Sequence, residues 1–219
     1  MLLFFFSFPV FSQNIEEIDS ILFSEMLAIH HEDFQRKSSL NFHLGNHEAS
    51  EEYFNSLVDN KLKGTFLDNF KVSGINEKIN HIYEIEKPFY LMSYSSWCVP
   101  SNGELEALEL LIDKHSDWMD FVLILWDKKV DAKKFAKQFH PKTKVLYVNE
   151  LSNTETKTIK MLKHKLGMPI SLTICSDKII LNIRKNTQVH PTVDKEIAMQ
   201  KCYKNISNDI MLLRKHEDF

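Results

Sequence analysis

A chain of 219 residues with 43% hydrophobic and 11% aromatic side chains can build one domain with a substantial appendage, or two small domains. Its formal net charge of -3 argues against a dedicated nucleic-acid binder. Its five glycines form neither a GxGxxG nor a GxxxxGK loop, so a nucleotide phosphate cradle is not expected.

The chain starts "MLLFFFSFPVFSQ". This apolar run is shorter than the roughly 20 residues that cross a bilayer. It fits the hydrophobic part of a secretory signal, with Val10 and Ser12 as small residues before a cut at Gln13. No basic segment precedes it, and a buried N-terminal strand is the alternative. The export reading makes residues 1–12 a signal peptide and the protein periplasmic or otherwise extracytoplasmic. No later stretch is long and apolar enough for a membrane helix, so no span is expected in the mature chain.

From Asn14 to about Ser38, Ile15, Ile18, Leu22, Met26 and Ile29 recur at helical steps, and Tyr53, Phe54, Leu57, Val58 and Leu62 do the same from Glu48 up to Gly64. Residues 13–63 are therefore expected to be a helical N-terminal extension. "FLDNFKVSGINEKINHIYEI" reads as two short strands in a hairpin around Ser73-Gly74 and Asn76.

After Pro88 strands and helices alternate. "FYLMSY" is a continuous apolar run suited to a strand covered on both faces. Leu105, Leu108, Leu111 and Ile112 mark a helix, and "MDFVLILW" a second buried strand. Ala132, Phe135, Ala136 and Phe139 mark a helix ended near Pro141, followed by the strand "TKVLYV". Ile159, Leu162 and Leu166 lie on a helix closed by Gly167. "ISLTIC" and "KIILNI" are strands joined by a tight turn, hence antiparallel, and a helix over about 193–213 finishes the chain. This order predicts an α/β fold, a central mixed sheet flanked by helices.

Three cysteines, Cys98, Cys175 and Cys202, are too few and too scattered for a disulfide framework. No CxxC or Cys/His spacing suggests zinc, and His30, His31, His43 and His47 match no ligand pattern, so neither metal nor cofactor is expected. Cys98, in "SSWCVPSNGELEALELL", sits where a buried strand gives way to a helix. There the unpaired N–H groups and dipole of the first helical turn would favour its thiolate. Pro100 suits the first turn, and Ser101 can offer the thiolate a hydroxyl but cannot form a disulfide. A lowered pKa would make Cys98 a good leaving group, favouring release of mixed disulfides. The Met168-Pro169 bond precedes a buried strand far along the chain. A trans turn is the default for such a Gly-x-Pro; in cis, a form open to X–Pro bonds, the bond would present Met168's backbone to an extended peptide. Cys175 and Cys202 read as small buried residues.

Residues from about 66 to the C-terminus resemble the thioredoxin superfamily, particularly the TlpA/ResA-like extracytoplasmic thiol-disulfide oxidoreductases. The family pattern WCxPCxxE is met by Trp97, Cys98, Pro100 and Glu104 and broken at Ser101. Pro169 matches the family's cis-proline, and the helix and strand between "FVLILW" and that proline match the family's insert. The resemblance implies a thioredoxin-like domain over residues 64–219, with Cys98 attacking disulfides beside Pro169 and Ser101 as its hydroxyl partner. Glu104 would tune the site, while Trp97, Pro100 and Met168 would bind substrate. Protein or small-molecule thiols and disulfides would be the partners. Without a second sulfur, release needs an external thiol. Two readings therefore stay open: a monothiol exchange protein in cell redox homeostasis, or a non-catalytic binding module with a degenerate site.

Overall fold

The computed structural model describes residues 21–150, 153, 156–186 and 192–218. The expected signal segment, and the start of the first expected helix, lie outside these residues.

Helix α1 spans Phe23–His43, past Ser38, because nothing breaks the helix before Gly45, whose φ is 74°. Helix α2, His47–Leu57, starts where the Asn46 side chain accepts the Ala49 N–H at 3.1 Å, and it continues as a π turn over Val58–Leu62 to Gly64. Both helices pack against the rest of the molecule rather than beside it. Phe23 N–H donates to Phe66 O at 2.8 Å, and buried Asp68 accepts both the N–H (2.9 Å) and the hydroxyl of Ser24.

The expected hairpin forms only in part. Strand β1, Ser73–Gly74, pairs antiparallel with a later strand, while its returning leg makes a single bridge, Lys71 to His81. The leg then winds into a 3-10 turn at Ile82–Glu84. Ile82 and Ile85 explain this: both are buried, and a spacing of three places them on one side of a helical turn but on opposite faces of a strand.

The remaining elements follow the expected alternation. They are β2 (Phe89–Tyr94), α3 (Glu104–His115), β3 (Asp120–Leu125), α4 (Lys129–Phe135), β4 (Lys144–Tyr147), α5 (Thr156–His164), β5 (Ile170–Ile174), β6 (Ile180–Lys185) and α6 (Lys195–Glu217). The sheet runs β1-β4-β3-β2-β5-β6, with β2, β3 and β4 parallel and β1, β5 and β6 antiparallel to their neighbours. Every residue of β2 is buried. Phe89 and Leu91 face a core shared with α1, α2 and α5, whereas Tyr90, Met92 and Tyr94 face one shared with α3 and α6. This is the thioredoxin-like arrangement, a mixed sheet between helices, with α4 and β4 as the inserted unit and α1 and α2 as the N-terminal addition.

A bidentate ion pair braces the β6 side. Arg184 Nε and Nη2 reach the two oxygens of buried Asp209 on α6 at 2.9 and 2.8 Å, and Asn182 Nδ2 donates to the same carboxylate at 2.7 Å.

Candidate thiol site

The site grows from the C-terminal end of β2. Past Tyr94 the chain turns at Ser95, and Cys98 N–H closes the turn on Ser95 O at 2.9 Å. Asp127, just beyond the end of β3, fastens the turn by accepting the Ser96 N–H and hydroxyl, each at 2.7 Å. Cys98 Sγ lies 3.5 Å from Ser95 N. Cys98 is 7% exposed, while its neighbours Trp97 and Val99 project into solvent at 70% and 83%.

Helix α3 does not begin at this turn. Its first residue is Glu104, and Gly103, with φ 75°, is its N-cap. The expectation that Cys98 faces the first helical turn is therefore overturned, and Pro100, expected inside that turn, is a half-buried residue ahead of it. The electrostatics follow the geometry. Burial pushes the Cys98 thiol pKa up, the Ser95 N–H opposes that more weakly, and the Asp127 carboxylate adds to it.

Glu104 explains where the helix starts. Its side chain folds back so that Oε2 accepts the Ser101 N–H at 2.8 Å. Oε1 accepts the Tyr94 hydroxyl and Asn186 Nδ2, each at 2.6 Å. Asn186 is itself held by the Ser171 hydroxyl at 2.9 Å. Ser101, expected to serve the sulfur, donates its N–H to Glu104, while the hydrogen bond at Cys98 Sγ comes from Ser95.

Glu104 is 5% exposed, and burial raises its pKa further than the donors from Tyr94, Ser101 and Asn186 lower it. As pH rises past the ordinary glutamate value, the unfolded chain releases this proton before the folded one does. The residue therefore removes stability with rising pH until the folded carboxyl has also ionised. Denaturation between about pH 5 and pH 8 should show a smaller fall in stability for Glu104→Gln than for the native chain. Identical slopes would refute the burial account.

The Met168–Pro169 peptide is cis and leads into β5, whose Ile170 pairs with Ser93 of β2. The proline loop thus stands at the strand end that carries Cys98. Met168 Sδ is 3.9 Å from the Ser95 hydroxyl, and Met168 packs on the apolar cluster that includes Cys98. A groove of about 740 Å³ borders this loop, lined among others by Phe54 of α2, Met168, Pro169, Arg184, Lys185 and Lys201 of α6.

The structure therefore brings Met168 to the apolar cluster that includes Cys98, leaves Trp97 projecting into solvent, and joins Ser101 to buried Glu104 through a hydrogen bond. Asp127, Ser95, Tyr94 and Asn186 escaped the sequence reading. Asp127 alone left a signal, a carboxylate directly after a parallel strand, where open α/β sheets place their sites. Cys175 and Cys202 are buried, and neither is bonded to another cysteine. Cys202 Sγ approaches Asn102 O at 3.8 Å, and burial together with Glu104 pushes its pKa up to about 11.

No protein-family model matches the sequence, and no curated protein matches it. Solved structures do. The thioredoxin domain of a thiol-disulfide oxidoreductase from Bacteroides vulgatus superposes with a TM-score of 0.50 at 10% identity, covering 67% of this chain and 96% of that one. A protein from Aquifex aeolicus VF5, proposed to act in electron transfer, gives a TM-score of 0.50 at 13% identity, covering 70% and 95%. A proposed thiol:disulfide interchange protein DsbE from Chlorobium tepidum gives 0.47 at 23% identity, covering 64% and 94%. The first two support the thioredoxin-like fold read from the strand order.

Proposed function

We propose that this chain is an exported, monothiol thioredoxin-fold protein that forms mixed disulfides through Cys98. The observation that carries the reading is the chain of contacts from Cys98 Sγ through Ser95 to Met168 Sδ, which sets the sulfur beside the proline loop. The Cys98 thiolate attacks one sulfur of a partner disulfide, forming a Cys98–partner bond and releasing the other partner sulfur as thiolate. No further oxidant is needed.

A raised pKa changes what happens next. Little thiolate is present at neutral pH, so attack is slow, and a high-pKa sulfur is a poor leaving group, so the adduct persists. With Ser101 in place of a second sulfur, an external thiol has to resolve it. The site fits capture of a partner better than turnover. Export is supported by the apolar run of residues 1–12. A second reading, a non-covalent binding module, draws on the 7% exposure of Cys98 between exposed Trp97 and Val99.

Intact-mass measurement separates the two. Incubated with a disulfide-bridged peptide, the native chain should gain one peptide adduct, absent in Cys98→Ala and stable until dithiothreitol is added. A peptide that binds both forms equally and never becomes covalent would leave the binding module standing. The same mass, taken on protein from the extracytoplasmic fraction, reads whether residues 1–12 have been removed.

A further inference from the structure

Far from Cys98 in sequence, a second sulfur stands among metal-ligating groups. Cys175 follows the last residue of β5, and the final turn of α6 brings His216 and Glu217 to it. The Cys175 Sγ, a ring nitrogen of His216 and a carboxylate oxygen of Glu217 all lie within 4.8 Å of one another. We propose that these three residues form a zinc site that clasps the end of α6 to the β5–β6 turn.

The carboxylate is already positioned. Ser176 donates its N–H to Glu217 Oε1 at 2.8 Å and its hydroxyl to Oε2 at 2.7 Å. Each oxygen keeps lone-pair capacity for a cation, and outer hydrogen bonds of this kind orient a ligating group before the metal arrives. Cys175 is fully buried and anchored by its N–H to Ile179 O at 3.1 Å, whereas His216 is exposed and free to rotate.

The donor set selects the ion. One sulfur, one imidazole nitrogen and one carboxylate oxygen suit a borderline cation in tetrahedral geometry and disfavour magnesium and calcium, which take oxygen. Zinc bonds of about 2.3 Å to sulfur and about 2.0–2.1 Å to nitrogen and oxygen set tetrahedral ligand atoms roughly 3.3–3.6 Å apart. The three ligand atoms already lie within 4.8 Å of one another, so any tightening needed is at most about 1–1.5 Å, within reach of a His216 side-chain rotation. Three protein ligands leave the fourth position to water.

The surrounding charges are mixed. Lys178, whose Nζ donates to Ser176 O at 2.6 Å, and Asp177 both act on Cys175, as does Glu217. Thiolate and Glu217 together outweigh the one ammonium. Binding exchanges the thiol proton for the metal: Cys175–SH and Zn²⁺ give Cys175–S–Zn⁺ and H⁺. Nothing is oxidised.

Cobalt(II) added to the full chain tests the proposal, because a thiolate ligand gives a charge-transfer band that histidine and carboxylate sites lack. The band should saturate at one equivalent, disappear on zinc addition and survive Cys98→Ser. It should be absent in Cys175→Ser, and its affinity should fall at least tenfold in His216→Ala, an exposed change that leaves the fold intact. No band at about millimolar cobalt would overturn the proposal. So would a band that persists in Cys175→Ser or is unchanged in His216→Ala. Should Cys175→Ser fail to fold, His216→Ala decides alone.

Discussion

Alkylation of Cys98 should rise roughly tenfold per pH unit from about pH 6 through 8 and still be climbing where a free thiol, titrating near 8.5, begins to level off. Only the thiolate reacts, and a free thiol is about 3% ionised at pH 7. Burial drives Cys98 below that fraction, the Asp127 carboxylate adds to the effect, and the single Ser95 N–H on the sulfur does not offset them. Cys98→Ala supplies the blank, since the more deeply buried Cys175 and Cys202 should react more slowly. A plateau below about pH 8 would mean a stabilised thiolate, and the capture reading would give way to rapid exchange. The direction matters for function. The same burial that slows attack also slows departure, so a mixed disulfide at Cys98 is expected to last until another thiol removes it.

The sheet was legible because each strand announces itself. "FYLMSY" and "FVLILW" are apolar on both faces, and the tight turn after "ISLTIC" forces an antiparallel pair. Pro169 was reached through the family resemblance instead, since a proline ahead of a strand suits a trans turn equally well; the Met168–Pro169 bond is cis. What stayed hidden depends on single dihedral angles and on long-range contacts. The spacing from Trp97 to Glu104 fits a helix that starts at the cysteine, yet Gly103 takes a positive φ and Glu104 turns back to cap Ser101. Periodicity cannot register a left-handed glycine inside a run that otherwise reads as helical. Glu104 illustrates the second limit. A first-turn acid is ordinarily solvated, and only Tyr94 at the end of β2 and Asn186, distant in sequence, make it a buried one. Cys175 and His216 meet in the same way, across two elements whose separation conceals any ligand spacing. β1 shows the converse, where two residues of strand follow from pairing with β4 rather than from their own pattern.

Gly103→Ala should be the most damaging small substitution near the site. A Cβ there would stand 2.4 Å from Met199 N, 2.6 Å from Met199 Cα and 2.9 Å from Ala198 C, all backbone atoms of α6 that no rotamer change can move. The left-handed φ of 75° adds about 1–2 kcal/mol for a residue with a side chain. Together the two effects should cost about 3–5 kcal/mol, roughly 6–20 °C in Tm for a chain of this size, measured by thermal or urea denaturation. The escape open to the variant is informative. An alanine that swings into the right-handed region relieves both strains and extends α3 toward Cys98, at the expense of the Ser101–Glu104 hydrogen bond. First-turn N–H groups would then approach the sulfur, and the surviving folded fraction should alkylate faster at neutral pH than the native chain. Unchanged stability together with unchanged alkylation would show that Gly103 is not what separates the thiol from the helix. Loss of stability with faster alkylation would show that this one glycine holds Cys98 in its slow, high-pKa state.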